Sequence, residues 1–542
     1  VSHSKSDDIE DLAAFGYKQA LDRTLGGFSS FAAGFSYISI LTGVFQMFYV
    51  GYGAGGPAFF WAWPIVFLGQ LTVALTFAEL AARYPLSGGI YQWSRRTGAG
   101  AVGWLAGWVY LCGSVISVAA VALALEATLP QIAPIFRLVG EAGDRSSSAQ
   151  NAVLLGCGLI AVSTLINSVG VRFLARINNV GVIAELIGVT ILIGLLAIYV
   201  RRGPAVLFDT QGRGDGSPGG YIGPFLAASL MASYVLYGFD TAGTLAEETD
   251  CPRRRAPWAI LQAIAAAGLA GALLIIFAIL AVDDPARAEL GQISGGLPFL
   301  VKSVLGPKLG SLLLADVIFA IFVCTLAVHA GAVRLMFAMA RDNNLPFAHA
   351  LAHVQERSKA PVAPAVVVGA LAAMILIVNV NMPHVIETLC AIAIVWANLA
   401  YLLVTLPLFV NRLRDLRRLT DRANRDDDSN FESPATSPRY FSLGRFSLPV
   451  NAVAVVWGMF VVGNIAWPRA EIYGSDPFGR FAAPLATLGL IAVGLTYFLL
   501  VQRRRTGILT EHAAEVFLDR QVATSDPRVI GDGWNCQLAP GD

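Results

Sequence analysis

The chain has 542 residues, of which 56% are hydrophobic and only 14% charged, whereas an ordinary soluble domain is roughly a quarter charged. That composition excludes a soluble single-core protein and requires a lipid bilayer as partner. With 38 Lys and Arg against 37 Asp and Glu the net charge is +1, which also excludes the basic face that nucleic-acid binding needs.

Residues 1–26 are polar, with Asp7, Asp8, Glu10 and Asp11 and no apolar run ahead of a cleavage site. They predict a cytoplasmic N-terminal segment, with the first span serving as the insertion signal. A hydrocarbon core of about 30 Å asks for roughly 20 mostly apolar residues per helix. That window predicts spans near 28–50, 59–82, 101–127, 151–169, 178–200, 222–246, 257–282, 309–339, 362–380, 385–410, 449–467 and 481–502. The fold class is therefore an all-α polytopic membrane protein of about twelve helices. The stretch 411–447, rich in Asp, Ser, Pro and Arg from Leu419 to Arg445, reads as a cytoplasmic linker before the last two helices. Residues 506–542 read as a cytoplasmic tail, with a short amphipathic helix over Glu511–Arg520.

Lys and Arg concentrate in alternate loops: Arg83, Arg95 and Arg96; Arg172 and Arg176; Arg253, Arg254 and Arg255; Arg341, Arg357 and Lys359; Arg412 to Arg425; and Arg503, Arg504 and Arg505. The positive-inside rule places these loops and both termini in the cytoplasm, with the chain in the plasma (cytoplasmic) membrane. Arg201, Arg202 and Arg213, before the sixth span, run against the trend. Cys112, Cys157, Cys324 and Cys390 lie inside apolar runs, while Cys251 and Cys536 sit far apart in polar stretches, giving no disulfide or zinc spacing.

Two spans place glycines and polar groups at mid-membrane, where unsatisfied backbone costs several kcal/mol unless it lines a cavity. The first reads Ala33-Gly34-Phe35-Ser36-Tyr37-Ile38-Ser39-Ile40-Leu41-Thr42-Gly43, and the sixth reads Tyr234-Val235-Leu236-Tyr237-Gly238-Phe239-Asp240-Thr241-Ala242-Gly243. Each opens a set of five helices and carries a matching triplet, Gly34-Phe35-Ser36 and Gly238-Phe239-Asp240. Interrupted helices at matching places predict a five-plus-five inverted repeat, residues about 27–200 and 221–410, with a midplane binding site. The competing reading is that Gly and Ser simply permit close helix packing.

Acids inside spans are functional-site candidates by default. Asp240, beside the broken sixth helix, and Glu185, in the fifth span, are candidate proton carriers; for Glu185 the alternative is a structural bond to Asn178 or Asn179. Glu126 and Glu387 are expected at the interfaces. Glu79, Glu247 and Glu248 are expected to contact arginines as parts of a cytoplasmic gate. Gly98-Ala99-Gly100-Ala101-Val102-Gly103 fits a dinucleotide pattern but lacks the preceding strand, and His349 and His353 lack the glutamate of a zinc protease motif. No metal or other cofactor is called for.

Ala78-Glu79-Leu80-Ala81-Ala82-Arg83-Tyr84-Pro85-Leu86-Ser87-Gly88-Gly89-Ile90-Tyr91-Gln92-Trp93 resembles the signature after the second helix of the amino acid/polyamine/organocation superfamily. Glu247-Glu248-Thr249 with Pro252-Arg253-Arg254 and Pro257 resembles its signature after the sixth helix. Arg334 through Ala340-Arg341-Asp342 with Pro346 resembles that of the eighth. The subfamily most resembled is the amino acid/choline permeases. The resemblance implies a leucine-transporter-like fold, a permease domain over 27–505, and a substrate carboxylate at the broken first helix, here Ser39, Ile40, Leu41, Thr42 and Gly43. Leu41 stands where many amino-acid carriers of the superfamily have Gly, which hinders close backbone approach of an α-carboxylate. The substrate amine is implied at carbonyls near Tyr234, Tyr237 and Gly238, with Tyr234 as a gating aromatic and Asp240 close by. Sodium-coupled relatives of the wider fold use eighth-helix hydroxyls, and Val328-His329-Ala330-Gly331-Ala332-Val333 offers none, so protons are the expected driving ion.

The chain has no phosphate-binding P-loop, so energy must come from an ion gradient or from exchange. The expected function is a secondary active transporter, not an enzyme, importing a small amine-bearing solute such as an amino acid or γ-aminobutyrate (GABA) by proton symport. A choline, ethanolamine or polyamine carrier, a solute exchanger, and a solute-sensing transceptor remain open at this point.

Overall fold

The computed structural model describes residues 11–140, 144–216, 218–356, 359–423, 440–474, 476–505 and 507–514. Residues 1–10, most of the expected linker and the tail beyond residue 514 lie outside them. Lipid offers no hydrogen bonds, so each apolar run must satisfy its own backbone as a helix. Among the described residues ten helices are long and apolar enough to cross a membrane. Two shorter apolar helices, Ile222–Val235 and Val362–Val378, stand where the sixth and ninth spans are expected.

The first span is two helices, α1 (Gly27–Ile38) and α2 (Ile40–Gly55), followed by α3 (Ala62–Arg83) and a short helix on the terminal face, α4 (Gly89–Thr97). The third is α5 (Gly100–Ala122) continued by α6 (Ala124–Ile132), the fourth α7 (Arg145–Val169) and the fifth α8 (Val171–Ile198). The sixth is α9 (Ile222–Val235) followed by one turn, α10 (Thr241–Thr244). Then come α11 (Pro252–Ala281), a short helix α12 (Gly296–Leu305), α13 (Pro307–Arg341), α14 (Val362–Val378), α15 (Val385–Ala423), α16 (Ser447–Ala466) and α17 (Ala482–Leu500). Local chemistry sets these ends: the Asp144 carboxylate accepts the Ser147 N–H at 2.9 Å to cap α7, and Pro252 and Pro307 open α11 and α13, where a missing N–H costs nothing.

One expectation is corrected. The helix of the tenth span continues to Ala423, thirteen residues into the expected linker, because Leu, Arg, Asp and Ala there are adequate helix formers despite their charge. Of the expected tail helix Glu511–Arg520 only residues 511–514 are described, within a 3-10 turn, Thr510–His512, and an extended contact; the rest lies outside the described residues. Glu126 and Glu387, each near the end of its span, are packed among protein groups: Asn151 donates to the first at 2.6 Å and Tyr49 to the second at 2.9 Å.

The two interrupted spans lie in the middle of the bundle. α2 packs against α9, α1 against α11 and α8, and α15 against α5 and α16. Outward-facing residues such as Leu165, Ile198 and Leu488 are exposed and apolar, as a surface in contact with lipid requires. On one face the segments flanking the bundle meet. Tyr17 pairs with Ala513, the Lys18 N–H donates to the His512 carbonyl at 2.9 Å, and the Ala514 N–H to the Gly16 carbonyl at 3.0 Å. Leu12, Tyr17, Leu86, Ile508 and Ala513 form a small apolar cluster beneath this clasp.

Candidate functional site

The first interruption is one residue wide. Ser39 adopts φ 29°, which ends α1 and turns the chain into α2. Thr42 and Ser39 hydroxyls are 2.6 Å apart. The Ser39 hydroxyl donates to Glu185 at 2.9 Å and the Leu41 N–H donates to the same carboxylate oxygen at 3.1 Å, leaving Thr42 as donor to Ser39. A helix N-terminus favours an anion, and here α8 supplies one. Among the described residues the partners of Glu185 are Ser39 and Leu41 rather than the alternatives expected for it, Asn178 and Asn179; Asn179 instead donates to Ser29. Ile40 is buried, and Gly43 faces α9, where a Cβ would come within 2.8 Å of Val235. Gly43 thus serves helix packing.

The second interruption spans Leu236 to Asp240. Gly238 has φ +90°, and a Cβ there would lie 1.9 Å from the Tyr37 ring, so both conformation and space require glycine. The Gly238 N–H donates to the Tyr401 hydroxyl at 2.9 Å, and that hydroxyl donates to Asp240 at 2.5 Å. Tyr110 donates to the two Asp240 oxygens at 2.8 and 2.6 Å. Asp240 is therefore clamped by phenols from α5 and α15. Tyr237 lies 2.9 Å from Ser117, whose own proton goes to the Gly113 carbonyl. Tyr234 donates to Gln46 at 3.0 Å, and Gln46 donates to the Ala120 carbonyl at 2.7 Å, which ties α9 to α2 and α5 beside the breaks.

The triplet match is not a match of position. Gly34, Phe35 and Ser36 lie within α1 before its break, whereas Gly238, Phe239 and Asp240 belong to the break itself. Sequence reasoning also missed Tyr37, Gln46, Tyr110, Ser117 and Tyr401, although a polar group in mid-span was the available signal.

Glu79, Glu247 and Glu248, the acids expected at a gate, form a separate layer on the face of the clasp. Arg341 grips Glu247 with two bonds of 2.7 and 2.6 Å, both side chains being buried. The Ser87 N–H adds a third at 2.9 Å. Arg334 pairs with buried Glu248 at 3.1 Å. Glu79 bridges Arg83 and Arg412, each at 2.6 Å. Tyr17 lies under the Arg341 guanidinium, 4.0 Å from its ring centre, and donates to Asp342 at 3.1 Å; burial and the Asp342 charge push the Tyr17 hydroxyl above its ordinary range. On the opposite face a cavity of about 1080 Å³ is lined by residues including Tyr49, Arg213, Glu387, Arg469 and Arg480. The polar groups at the two breaks thus lie between an ion-paired layer on one face and a cavity on the other.

A family model described as amino acid permease matches residues 25–492. The chain is 26% identical to an amino-acid permease of Arabidopsis thaliana, over 91% of this chain and 94% of that protein. It is 23% identical to a GABA-specific permease of Saccharomyces cerevisiae, over 65% and 63% of the two chains. It is 24% identical to a low-affinity putrescine importer of Escherichia coli, over 57% and 65%.

Proposed function

We propose that this chain, which belongs to the amino acid permease family, is a secondary active transporter that imports a small amine-bearing solute such as an amino acid or GABA by alternating access. Family membership makes it a multi-pass membrane transporter rather than an enzyme. The observation that carries the finer reading is the pair of helix breaks, side by side, each tied to a buried acid. A helix that stops in mid-span leaves its end groups without intrahelical partners, so such breaks offer N–H groups to a carboxylate and carbonyls to an ammonium. In this reading the helices form two inverted five-helix repeats, residues about 27–200 and 221–410, followed by two more. The arginine-rich face with the clasp is cytoplasmic, the membrane is the plasma membrane, and Glu79, Glu247 and Glu248 belong to the closed cytoplasmic gate.

Protons are the proposed driving ion. Where α13 passes the end of α1, Cys324 donates to the Tyr37 carbonyl at 3.5 Å. A thiol is a poor ligand for a hard cation that prefers oxygen. The two acids divide the work: Asp240 braces the second break, and Glu185 carries the proton. Uptake of labelled amino acids, GABA, choline, ethanolamine and putrescine into proteoliposomes tests the reading. An inward proton gradient should drive accumulation of at least one of them, without sodium. No gradient-driven uptake and no solute exchange across that panel would refute it.

A further inference from the structure

At the first break the chain already contains the group that a solute carboxylate would need to replace. Glu185 sits on the Leu41 N–H and the Ser39 hydroxyl, at the N-terminus of the 16-residue helix α2, where anions are favoured. Two carboxylates cannot share these donors while both are ionised. A second observation points to a ligand between the two breaks. The Tyr37 side chain leaves α1 two residues before the first break and reaches the second, against Gly238, where its buried hydroxyl makes no hydrogen bond of normal geometry among the described residues. A third comes from the cavity on the opposite face, whose charged lining is Arg213, Arg469 and Arg480 against Glu387, an excess of positive charge that draws in carboxylates.

Resting on the transporter reading above, we infer that Glu185 is an internal stand-in for the solute carboxylate: it holds the α2 N-terminus while the site is empty and yields it, protonated, to a carboxylate-bearing solute. One proton from the outer solution forms an O–H bond on Glu185. The Leu41 N–H and Ser39 O–H bonds pass to the solute carboxylate. After release on the other face Glu185 gives up that proton to the cytoplasmic solution and its carboxylate returns to the helix end. Each carboxylate that enters thus carries one proton, and the coupling is a property of the solute's own chemistry.

The titratable groups that face Glu185 are Asp316 and Cys324 of α13. Asp316 approaches α8 at Gly188, where a Cβ would lie 1.7 Å from its carboxylate, one turn along from Glu185. Of the other elements packed on α8, α11 has no titratable residue beyond Arg255, α1 has only Tyr37, α7 only Arg145 and Cys157, and α12 only Lys302, which donates to the Gln131 carbonyl. α2 has Tyr49 and Tyr52, bonded to Glu387 and to the Pro285 carbonyl.

The test compares GABA with n-butylamine, which has a methyl group in place of the carboxylate. Titration calorimetry of the full chain in nanodiscs, repeated in buffers of different ionisation enthalpy, counts protons taken up with each probe. Wild-type protein should take up about one proton per GABA and close to none per n-butylamine, so that GABA affinity rises about tenfold per unit fall in pH on the alkaline side. In Glu185→Gln, GABA binding should persist and lose its pH dependence. Equal proton uptake with both probes, or a wild-type pH response in Glu185→Gln, would overturn the stand-in role while leaving transport intact. Failure of every amine in the proteoliposome panel would instead remove the transporter reading, and this inference with it.

Discussion

Neutralising Glu247 should unlock the face that carries the clasp. In the structure Arg341 is fully buried and its charge is matched by Glu247 through two short bonds. Glu247→Gln keeps an oxygen for the Ser87 N–H but leaves the guanidinium without its counter-charge. Removing one partner of a buried pair costs about 3–5 kcal/mol, and every 1.4 kcal/mol is a factor of ten. The retained oxygen puts the expected effect at the lower end, roughly 100-fold in the balance between closed and open forms. The assay is alkylation of Thr244→Cys by a membrane-impermeant maleimide applied to inside-out vesicles, with Cys251→Ser and Cys536→Ser to remove the background. Thr244 is buried next to Gly89, so its rate of modification reports opening. The rate should rise about 100-fold in Glu247→Gln. An unchanged rate in a variant with wild-type yield and monodispersity would refute the view that this pair holds the face shut.

Other substitutions have defined outcomes. Tyr110→Phe and Tyr401→Phe each remove a phenolic donor from Asp240 and should each lower stability by about 1.5–3 kcal/mol, the worth of a bond to a charged group; thermal unfolding in detergent that matches wild type would count against the clamp. Tyr234→Ala should raise the KM for uptake, and Tyr234→Phe should do so less, by about fivefold for one neutral bond to Gln46; identical KM values would remove Tyr234 from the path. The clasp should respond to acid. Burial, helped by the Arg341 charge, holds His512 below its ordinary value of 6.5, so the open form takes up a proton more readily than the closed one. The clasp is then at full strength above about pH 6.5 and weakens as the pH falls below it. The protection of residues 507–514 against hydrogen exchange, relative to the intrinsic rate at each pH, should fall on that descent in the wild type and lose the effect in His512→Gln.

The spans were legible because lipid imposes a length and a hydrophobicity that few other constraints disturb. The existence of both breaks was legible too, since glycine beside polar residues has no place in an uninterrupted lipid-facing helix. Their positions were not. Ser39 breaks the first span without a glycine, using its own side chain and an acid 146 residues away. The partners of Asp240 lie 130 and 161 residues from it, and spacing along one chain carries no information about such pairings. Glu247 and Glu248 were recognisable as partners of arginines because Arg334 and Arg341 stand on one helix near its end, where a charge has few other places to go. The charged extension of α15 misled because composition alone does not separate a solvated helix from a linker.

The contact between residues 17 and 513 also fixes a parity. A chain whose two ends touch on one face of a bilayer must cross it an even number of times. The sixth span, interrupted after fourteen residues, and the ninth, of seventeen residues, are the two that a length criterion loses. Losing either one alone would leave eleven crossings and strand the ends on opposite faces, at odds with the hydrogen bonds that join them. The short pairing of Gly16, Tyr17 and Lys18 with His512, Ala513 and Ala514 therefore ties these two spans together, so that both cross or neither does, independent of hydropathy and of the distribution of charge in the loops.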